Sequence, residues 1–267
     1  MSHMPNAPLV YTIAVVRFPR VPEFETFPDK FFAQVREHYP HDKKFQHVTM
    51  KASITDEGVT MEKVDKPVWQ YLSPNKDCGF LLADDSICFH TSSYIDSKAF
   101  LDRFEFGLSR LVDIPEIGIK FINMLGIRYI DLVVPEEGKN LDAYLQEWTL
   151  PKERPDVDME ILEGAYLAKY KTDMGHLNFQ AARNPQNIIP PDLHSPFLVQ
   201  NGWIKECPKG LNFAVIDTDH VTYPTEPNNK FSSKEIVKKL DELHMIPKQV
   251  FAALGTPEAM EYWRKEE

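Results

Sequence analysis

The stretch that decides the fold is Leu9-Val10-Tyr11-Thr12-Ile13-Ala14-Val15-Val16-Arg17-Phe18, which stops at Pro19. Its β-branched and aromatic residues predict a strand. The period then changes, because an apolar stripe at Phe27, Phe31, Val35 and Tyr39 recurs every four residues and ends at Pro40. A strand followed at once by an amphipathic helix indicates a protein that mixes α and β structure.

The order of strand, helix, four strands and helix is predicted twice along the chain. Four strand-like stretches follow at about 45–54, 66–73, 78–84 and 86–94, and a helix is predicted at about 96–113. The order then begins again. A long strand at Phe121–Val134 precedes a helix at about 141–149 and strand-like runs near 160–172, 176–183, 197–204 and 211–222. A final helix starts at the capping box Ser232-Ser233-Lys234-Glu235.

The sequence therefore predicts an α+β fold of two similar halves, each of order β-α-β4-α, with an antiparallel sheet gripping a helix. The first half covers residues 1–117, and the second covers 118–267 with a proline-rich insertion near 184–198. Val16-Arg17-Phe18 and Ile127-Arg128-Tyr129 fall at matching places in the two halves, which favours an internal duplication. Chance repetition of common elements is the alternative. The element order resembles helix-grip folds and the halves of the TATA-binding protein.

Composition excludes several classes of function. The chain has 267 residues with 30 Lys+Arg against 40 Asp+Glu, a net charge of −10, and this acidic balance disfavours nucleic-acid binding because phosphates are held mainly by basic side chains. Its three cysteines, Cys78, Cys88 and Cys207, contain no CxxC pair and are interpreted as reduced thiols. No apolar run approaches the roughly 18 residues of a membrane helix. We expect a cytoplasmic protein.

The sequence offers no catalytic motif. The 11 glycines are too scattered for GxGxxG or a P-loop, and no cofactor is expected.

Arg17 and Arg128, followed by Tyr129, are the leading candidates for binding. Each arginine lies in a predicted strand among apolar neighbours, where an unpaired guanidinium would be costly. One interpretation pairs each arginine with an internal carboxylate. The other directs both guanidinium groups, with Tyr129 beside them, at one anionic ligand or partner carboxylate.

Asp217-Thr218-Asp219-His220 is the most suggestive acidic cluster. Residues two apart on a strand share a face, so Asp217 and Asp219 offer two carboxylates to a divalent cation, with His220 as a further ligand. The alternative is an edge strand protected by charge.

One closer likeness runs almost the full length of the chain. The segments that carry it include Asn6-Ala7-Pro8-Leu9-Val10, Thr91-Ser92-Ser93-Tyr94, Gly126 to Asp131, Ile216 to Asp219 and Thr256-Pro257-Glu258-Ala259. Together they resemble a sporadically distributed family of uncharacterised bacterial and archaeal proteins, which often carries Asn where this chain has Asp131. The resemblance implies a prokaryotic cytoplasmic protein, and the patchy distribution suggests a defence or toxin-neutralising setting.

The sequence thus predicts a non-enzymatic binding or interaction protein. Its partner would be a protein or a small anionic ligand, with no nucleic acid and no membrane, and a homodimer is compatible with it. The surfaces would be the sheet around Arg17 and Arg128 and the loop at 184–198, where the alternative is a loop that simply packs over the sheet. The runner-up function is a metal-dependent hydrolase that uses Asp217 and Asp219.

Overall fold

The computed structural model describes residues 4–55, 58–152, 157–159, 161–193, 207–209, 212–225 and 229–265. For the described residues between 47 and 65 it describes only the backbone. The described residues form an α+β protein. Its strands are β1 (Leu9–Arg17), β2 (His41–Thr55), β3 (Gly58–Leu72), β4 (Cys78–Ala83), β5 (Ser86–Thr91), β6 (Met124–Val133), β7 (Gly164–Lys171), β8 (His176–Arg183) and β9 (Ala214–Thr222). Its helices are α1 (Pro28–Val35), α2 (Ser97–Val112), α3 (Ser233–Leu254) and α4 (Pro257–Arg264).

The nine strands of the described residues form one antiparallel sheet, in the order β2-β3-β4-β5-β1-β6-β9-β8-β7. The centre of the sheet is the β1–β6 pair, in which Ile13 lies opposite Arg128 and Arg17 opposite Met124. The two strands that the sequence places at the start of each half are therefore neighbours. The sheet is continuous across the two halves that the sequence predicts.

The helices cover one face of this sheet, which we call the helix face. Phe31 of α1, Phe104 and Leu108 of α2, and Leu240 of α3 are fully buried against strand residues such as Phe80. The predicted apolar stripes of the first two helices are thus the stripes that pack. Asp96 begins α2 by accepting a hydrogen bond from the Ala99 amide at 2.7 Å, and Ser232 is the N-cap of α3 as the capping box predicts.

The opposite face, here the open face, carries a second apolar cluster. Tyr11 and Ile13 of β1 and Ile130 of β6 lie there, and Ile188, Ile189 and Leu193 pack on them. The part of the proline-rich insertion that the structure describes is therefore a loop packed over the sheet, as one of the two interpretations predicts. Residues 194–198 of the insertion lie outside the described residues.

The second half departs from its predicted β-α-β4-α order. In place of a helix at 141–149 the chain forms a single 3-10 turn at Leu141–Ala143, so that prediction is wrong. Asn140 caps the turn at the Asp142 amide, 3.1 Å away. The backbone beyond the turn bonds to the end of α3 and not along a longer helix, because the Gln146 amide donates to the Leu254 carbonyl and the Thr256 amide to the Tyr144 carbonyl. The strand predicted at 197–204 lies outside the described residues. The sequence also missed α4, which Thr256 caps.

Within the described ranges, none of the helices has the length and apolar character that crossing a bilayer requires.

Candidate binding cleft on the open face

A cleft of about 440 Å³ opens on the open face of the second half. Its floor is formed by side chains from four strands, and its wall by the segment after β8. The polar residues that line it are Arg128 of β6, Lys169 of β7, Asn178 and Gln180 of β8, Asp217 and Asp219 of β9, and Asp192.

The sheet register explains why these side chains meet. Arg128 lies opposite Asp219, Asp219 opposite Asn178, and Asn178 opposite Lys169. Directly opposed residues on neighbouring strands project from the same face. One row across four strands therefore has a cation at each end, Arg128 and Lys169, with Asp219 and Asn178 between them.

Arg128 is held by two carboxylates. Its Nε donates to Asp217 Oδ1 at 2.8 Å and its Nη2 to Asp217 Oδ2 at 2.7 Å. The outer side of the guanidinium donates to Asp192, from Nη1 to Oδ2 and from Nη2 to Oδ1, the latter at 3.2 Å. The side chain of Arg128 is 14% exposed and that of Asp217 9%, whereas that of Asp192 is 62% exposed. The inner carboxylate is thus buried with the arginine, and the outer one is at the surface.

The electrostatics of the cleft follow from this geometry. Burial alone would lower the pKa of Arg128, but its hydrogen bonds to Asp217 and Asp192 outweigh that cost, and the pKa is raised. Burial raises the pKa of Asp217, and Arg128 offsets part of this rise. Both Asp217 oxygens accept from the guanidinium, which is the arrangement of an ionised carboxylate.

Asp219 is the second buried carboxylate in the floor. Asn178 Nδ2 donates to Asp219 Oδ2 at 3.0 Å. Burial raises the pKa of Asp219, while the Asn178 hydrogen bond and the charge of Arg128 lower it. Asp217 and Asp219 do share a face, as the sequence predicts, and each is tied to a neutral or cationic side chain.

Arg17 does not join this site. It is the last residue of β1 and is exposed, so the prediction that it is buried mid-strand is wrong. Its side chain is on the open face like that of Arg128, but the pairing of Arg17 with Met124 and of Ile13 with Arg128 places the two arginines four residues apart along the strands. At about 3.4 Å per residue their backbones are separated by more than 10 Å.

Tyr129 points the other way. It is buried on the helix face, where its hydroxyl is 2.8 Å from His244 Nδ1 of α3. Burial raises the pKa of Tyr129 well above its usual value. Tyr129 and Arg128 are neighbours in sequence, so on a strand they necessarily project to opposite faces. The expected grouping of Tyr129 with the two arginines is not formed.

His220 is likewise separated from the carboxylates of Asp217 and Asp219. It is fully buried on the helix face, with Nδ1 at 2.8 Å from the Leu243 carbonyl oxygen and Nε2 at 2.9 Å from Thr172 Oγ1. The carbonyl oxygen can only accept, so Nδ1 carries the proton. In the part of the chain that the structure describes, no group of three or more acidic, histidine or cysteine side chains is arranged to hold a metal ion.

Sequence reasoning missed Lys169, Asn178, Gln180 and Asp192. Lys169, Asn178 and Gln180 belong to the hairpin of β7 and β8, so their place beside Asp219 depends on the strand order and not on sequence distance. A signal for Asp192 did exist, because it is the only acidic residue between 184 and 198.

Comparison with known proteins adds no assignment: no protein-family model matches the chain, and no curated protein is similar enough to count as a relative.

Proposed function

We propose that this chain is a non-enzymatic binding protein that holds a carboxylate, carried by a small molecule or by a partner protein, on the outer side of Arg128. The observation that carries the proposal is the difference in exposure between the two carboxylates on this arginine. Asp217 is buried with Arg128, whereas Asp192 reaches the same guanidinium from the surface with 62% of its side chain exposed.

The inner ion pair prepares the site. Asp217 fixes the plane of the guanidinium through Nε and Nη2, and the N–H groups on the outer side face the cleft. A guanidinium fork of this kind matches the two oxygens of a carboxylate. Because the fork is already oriented, a ligand loses less free energy in ordering it.

Asp192 occupies the position that a ligand carboxylate would take. Exchange of one carboxylate for another leaves the charge of the cleft unchanged, so no charge is buried without a partner. Lys169, Asn178 and Gln180 line the same cleft and supply further donors for the rest of an anionic ligand. Because Asp192 is the more exposed of the two carboxylates on Arg128, it is the one that a ligand carboxylate would displace.

The test is a titration of the purified protein with citrate, followed by calorimetry and by the NMR signals of the arginine side chains. Asp192→Asn should bind citrate about 3-fold to 10-fold more tightly than the parent chain, because it removes the competitor and leaves Arg128 in place. The double substitution Arg128→Met with Asp217→Asn should lose binding without leaving a charge buried alone.

A matched control is Arg110→Met with Asp113→Asn, which removes an exposed arginine and its carboxylate partner far from the cleft. It should leave citrate affinity unchanged. Equal affinity in the parent chain and Asp192→Asn, or affinity that survives loss of Arg128, would refute the proposal.

The source of the carboxylate is resolved by native mass spectrometry of the chain purified from its host lysate. A small anionic mass that disappears from the Arg128→Met, Asp217→Asn protein indicates a free metabolite. An added polypeptide that disappears in the same way indicates a partner's carboxylate. Mass retained by the double variant contradicts binding at this cleft.

The duplication and the cellular setting are proposed from the order of the elements and from the family resemblance. We infer that the two halves arose by duplication. Supporting this, the strand order 2-3-4-5-1 on one side of the sheet is mirrored by 6-9-8-7 on the other, with α2 and α3 following the last strand of each half. After β6 the second half has a 3-10 turn and three described strands, whereas after β1 the first half has α1 and four strands. A prokaryotic, defence-associated cytoplasmic setting remains part of the proposal through the family resemblance.

The runner-up, a metal-dependent hydrolase at Asp217 and Asp219, is less favoured. Both oxygens of Asp217 already accept from Arg128, and His220 lies on the other face. Thermal unfolding with and without Mg²⁺ or Mn²⁺ tests it, and a rise in the unfolding temperature that Asp219→Asn abolishes would favour it.

A further inference from the structure

The last strand of the sheet, β7, presents an exposed edge. Among the described residues it pairs with β8 alone, and Leu167 is 69% and Tyr170 43% exposed. Of the twelve large apolar side chains that are exposed among the described residues, seven lie between Trp148 and Tyr170. An edge strand with exposed apolar side chains is a template for pairing with another chain.

The opposite edge of the sheet is different. Strand β2 begins with His41, Asp42, Lys43 and Lys44, all of them exposed. Charged side chains on an edge strand prevent it from pairing with another chain. Strand β7 also carries exposed lysines, Lys169 and Lys171, so its pairing with another chain requires charges that complement them.

The backbone groups that point away from β8 can be assigned. The Thr172 amide donates to the Gly175 carbonyl at 2.9 Å beside the tight turn between β7 and β8. Hydrogen-bonded and non-hydrogen-bonded pairs alternate along an antiparallel ladder, so the even-numbered residues of β7 bond to β8. The odd-numbered residues, including Ala165, Leu167 and Lys169, direct their N–H and C=O groups outward.

The side chains at these outward positions are self-complementary. On the open face the edge has the order Glu163, Ala165, Leu167, Lys169 and Lys171, with the acid at the beginning and the bases at the end. An antiparallel copy centred on Leu167 places Glu163 of each chain opposite Lys171 of the other. It also places Leu167 against its own counterpart and Lys169 opposite Ala165, so no like charges face each other.

We propose that β7 pairs with β7 of a second copy of this chain about a two-fold axis at Leu167, which joins the two sheets into one. Such an interface is isologous, because the same surface is used by both subunits. Leu167 and Lys169 also line the cleft that contains Arg128. The second copy therefore extends the wall of that cleft, and two clefts lie side by side across the axis.

Sedimentation velocity of the whole chain over a range of concentrations, with native mass spectrometry, tests the pairing. The parent chain should be a dimer at micromolar concentration. Glu163→Lys should weaken dimerisation about 10-fold, because it places two positive charges opposite each other across the interface, and Lys171→Glu should weaken it by a similar factor through two opposed negative charges. The double reversal, Glu163→Lys with Lys171→Glu, should restore the dissociation constant to within about 3-fold of the parent value.

A second pair of variants tests the backbone contact. Ala165→Pro removes an outward N–H group without removing a bond to β8, and it should weaken the dimer at least 10-fold. Ala165→Thr keeps the N–H group and should not.

Three results would overturn the proposal. They are a monomeric parent chain at 100 µM, a dimer that is indifferent to both reversals, and a double reversal that is no better than the single ones. If a different polypeptide is the partner of the β7 edge, the purified chain would be monomeric, which is the first of these results. A variant at Glu163, Ala165 or Lys171 that loses the dimer but still binds citrate would show that pairing through β7 and binding at the carboxylate site are independent.

Discussion

Arg128 and Asp217 form a two-pronged ion pair between neighbouring strands, with distances of 2.8 Å from Nε to Oδ1 and 2.7 Å from Nη2 to Oδ2. Their backbones are offset in register, since Arg128 lies opposite Asp219 and Asp217 opposite Ile130. The pair therefore runs diagonally across the sheet and leaves the outer side of the guanidinium facing the cleft. The stability of the β6–β9 contact and the binding that we propose for the cleft thus depend on the same two side chains.

Loss of the inner carboxylate should be costly. Asp217→Asn leaves Arg128 charged and mostly buried, with only the exposed Asp192 as an ionic partner, and we expect a loss of about 3 kcal/mol in the free energy of unfolding. Asp192→Asn should cost less than about 1 kcal/mol, because an exposed pair contributes little. Urea denaturation measures both. Equal losses would show that the two carboxylates are equivalent, contrary to their exposure.

Asp131 should make stability depend on pH. It is buried on the helix face with Leu9 and Ile216 as its cross-strand neighbours, and burial, with a smaller effect of the Asp217 charge, raises its pKa from 3.8 to about 7. The folded chain then binds a proton more tightly than the unfolded chain. The stability that Asp131 contributes is complete below about pH 4 and is lost as the pH rises towards 7.

Asp131→Asn should remove this dependence. We expect the variant to be more stable than the parent chain by about 4 kcal/mol at pH 8 and nearly equal to it at pH 4. Burial lowers the pKa of His90 to about 3, which has the opposite effect on stability. Because His90 is present in both proteins, its effect cancels when their free energies of unfolding are subtracted. Denaturation curves at several pH values provide the measurement, and a variant that is less stable at pH 8 would contradict the assignment.

Gly107 should resist replacement although it lies inside a helix. A Cβ atom at this position would be 2.2 Å from Phe80 Cε1, and Phe80 is fully buried among other rings. Alanine normally stabilises a helix by about 1 kcal/mol relative to glycine. We expect overpacking to outweigh that gain, so that Gly107→Ala lowers the free energy of unfolding by about 1–2 kcal/mol. A stabilised variant would show that α2 can move away from the sheet.

Tyr129 should matter for stability and not for binding. Tyr129→Phe removes the hydroxyl that lies 2.8 Å from His244 Nδ1, at an expected cost of about 1 kcal/mol. Because Tyr129 is on the helix face, citrate affinity should not change. A drop in citrate affinity without a drop in stability would contradict this prediction and would show that Tyr129 takes part in ligand binding.

Much of the architecture is encoded locally. The four-residue spacing of Phe27, Phe31 and Val35 predicts α1, and the run from Leu9 to Arg17 predicts β1, because these patterns follow from the periods of the helix and the strand. The helix predicted at 141–149 fails because of contacts between residues far apart in the chain. Its cap at Asn140 is real, but the backbone of Tyr144 and Gln146 bonds to residues 254–256 at the end of α3 and not along a longer helix.

The sequence by itself determined the α+β class, the helices and strands with a clear local period, and which side chains of one strand share a face, such as Asp217 and Asp219. Only the tertiary structure decided which strands are neighbours. That order buries Arg128 beside Asp217, leaves Arg17 exposed at the end of β1 and brings Asp192 over the cleft. The physical reason is that local periodicity specifies the direction of a side chain relative to its own backbone, whereas its partner depends on contacts between residues far apart in the chain.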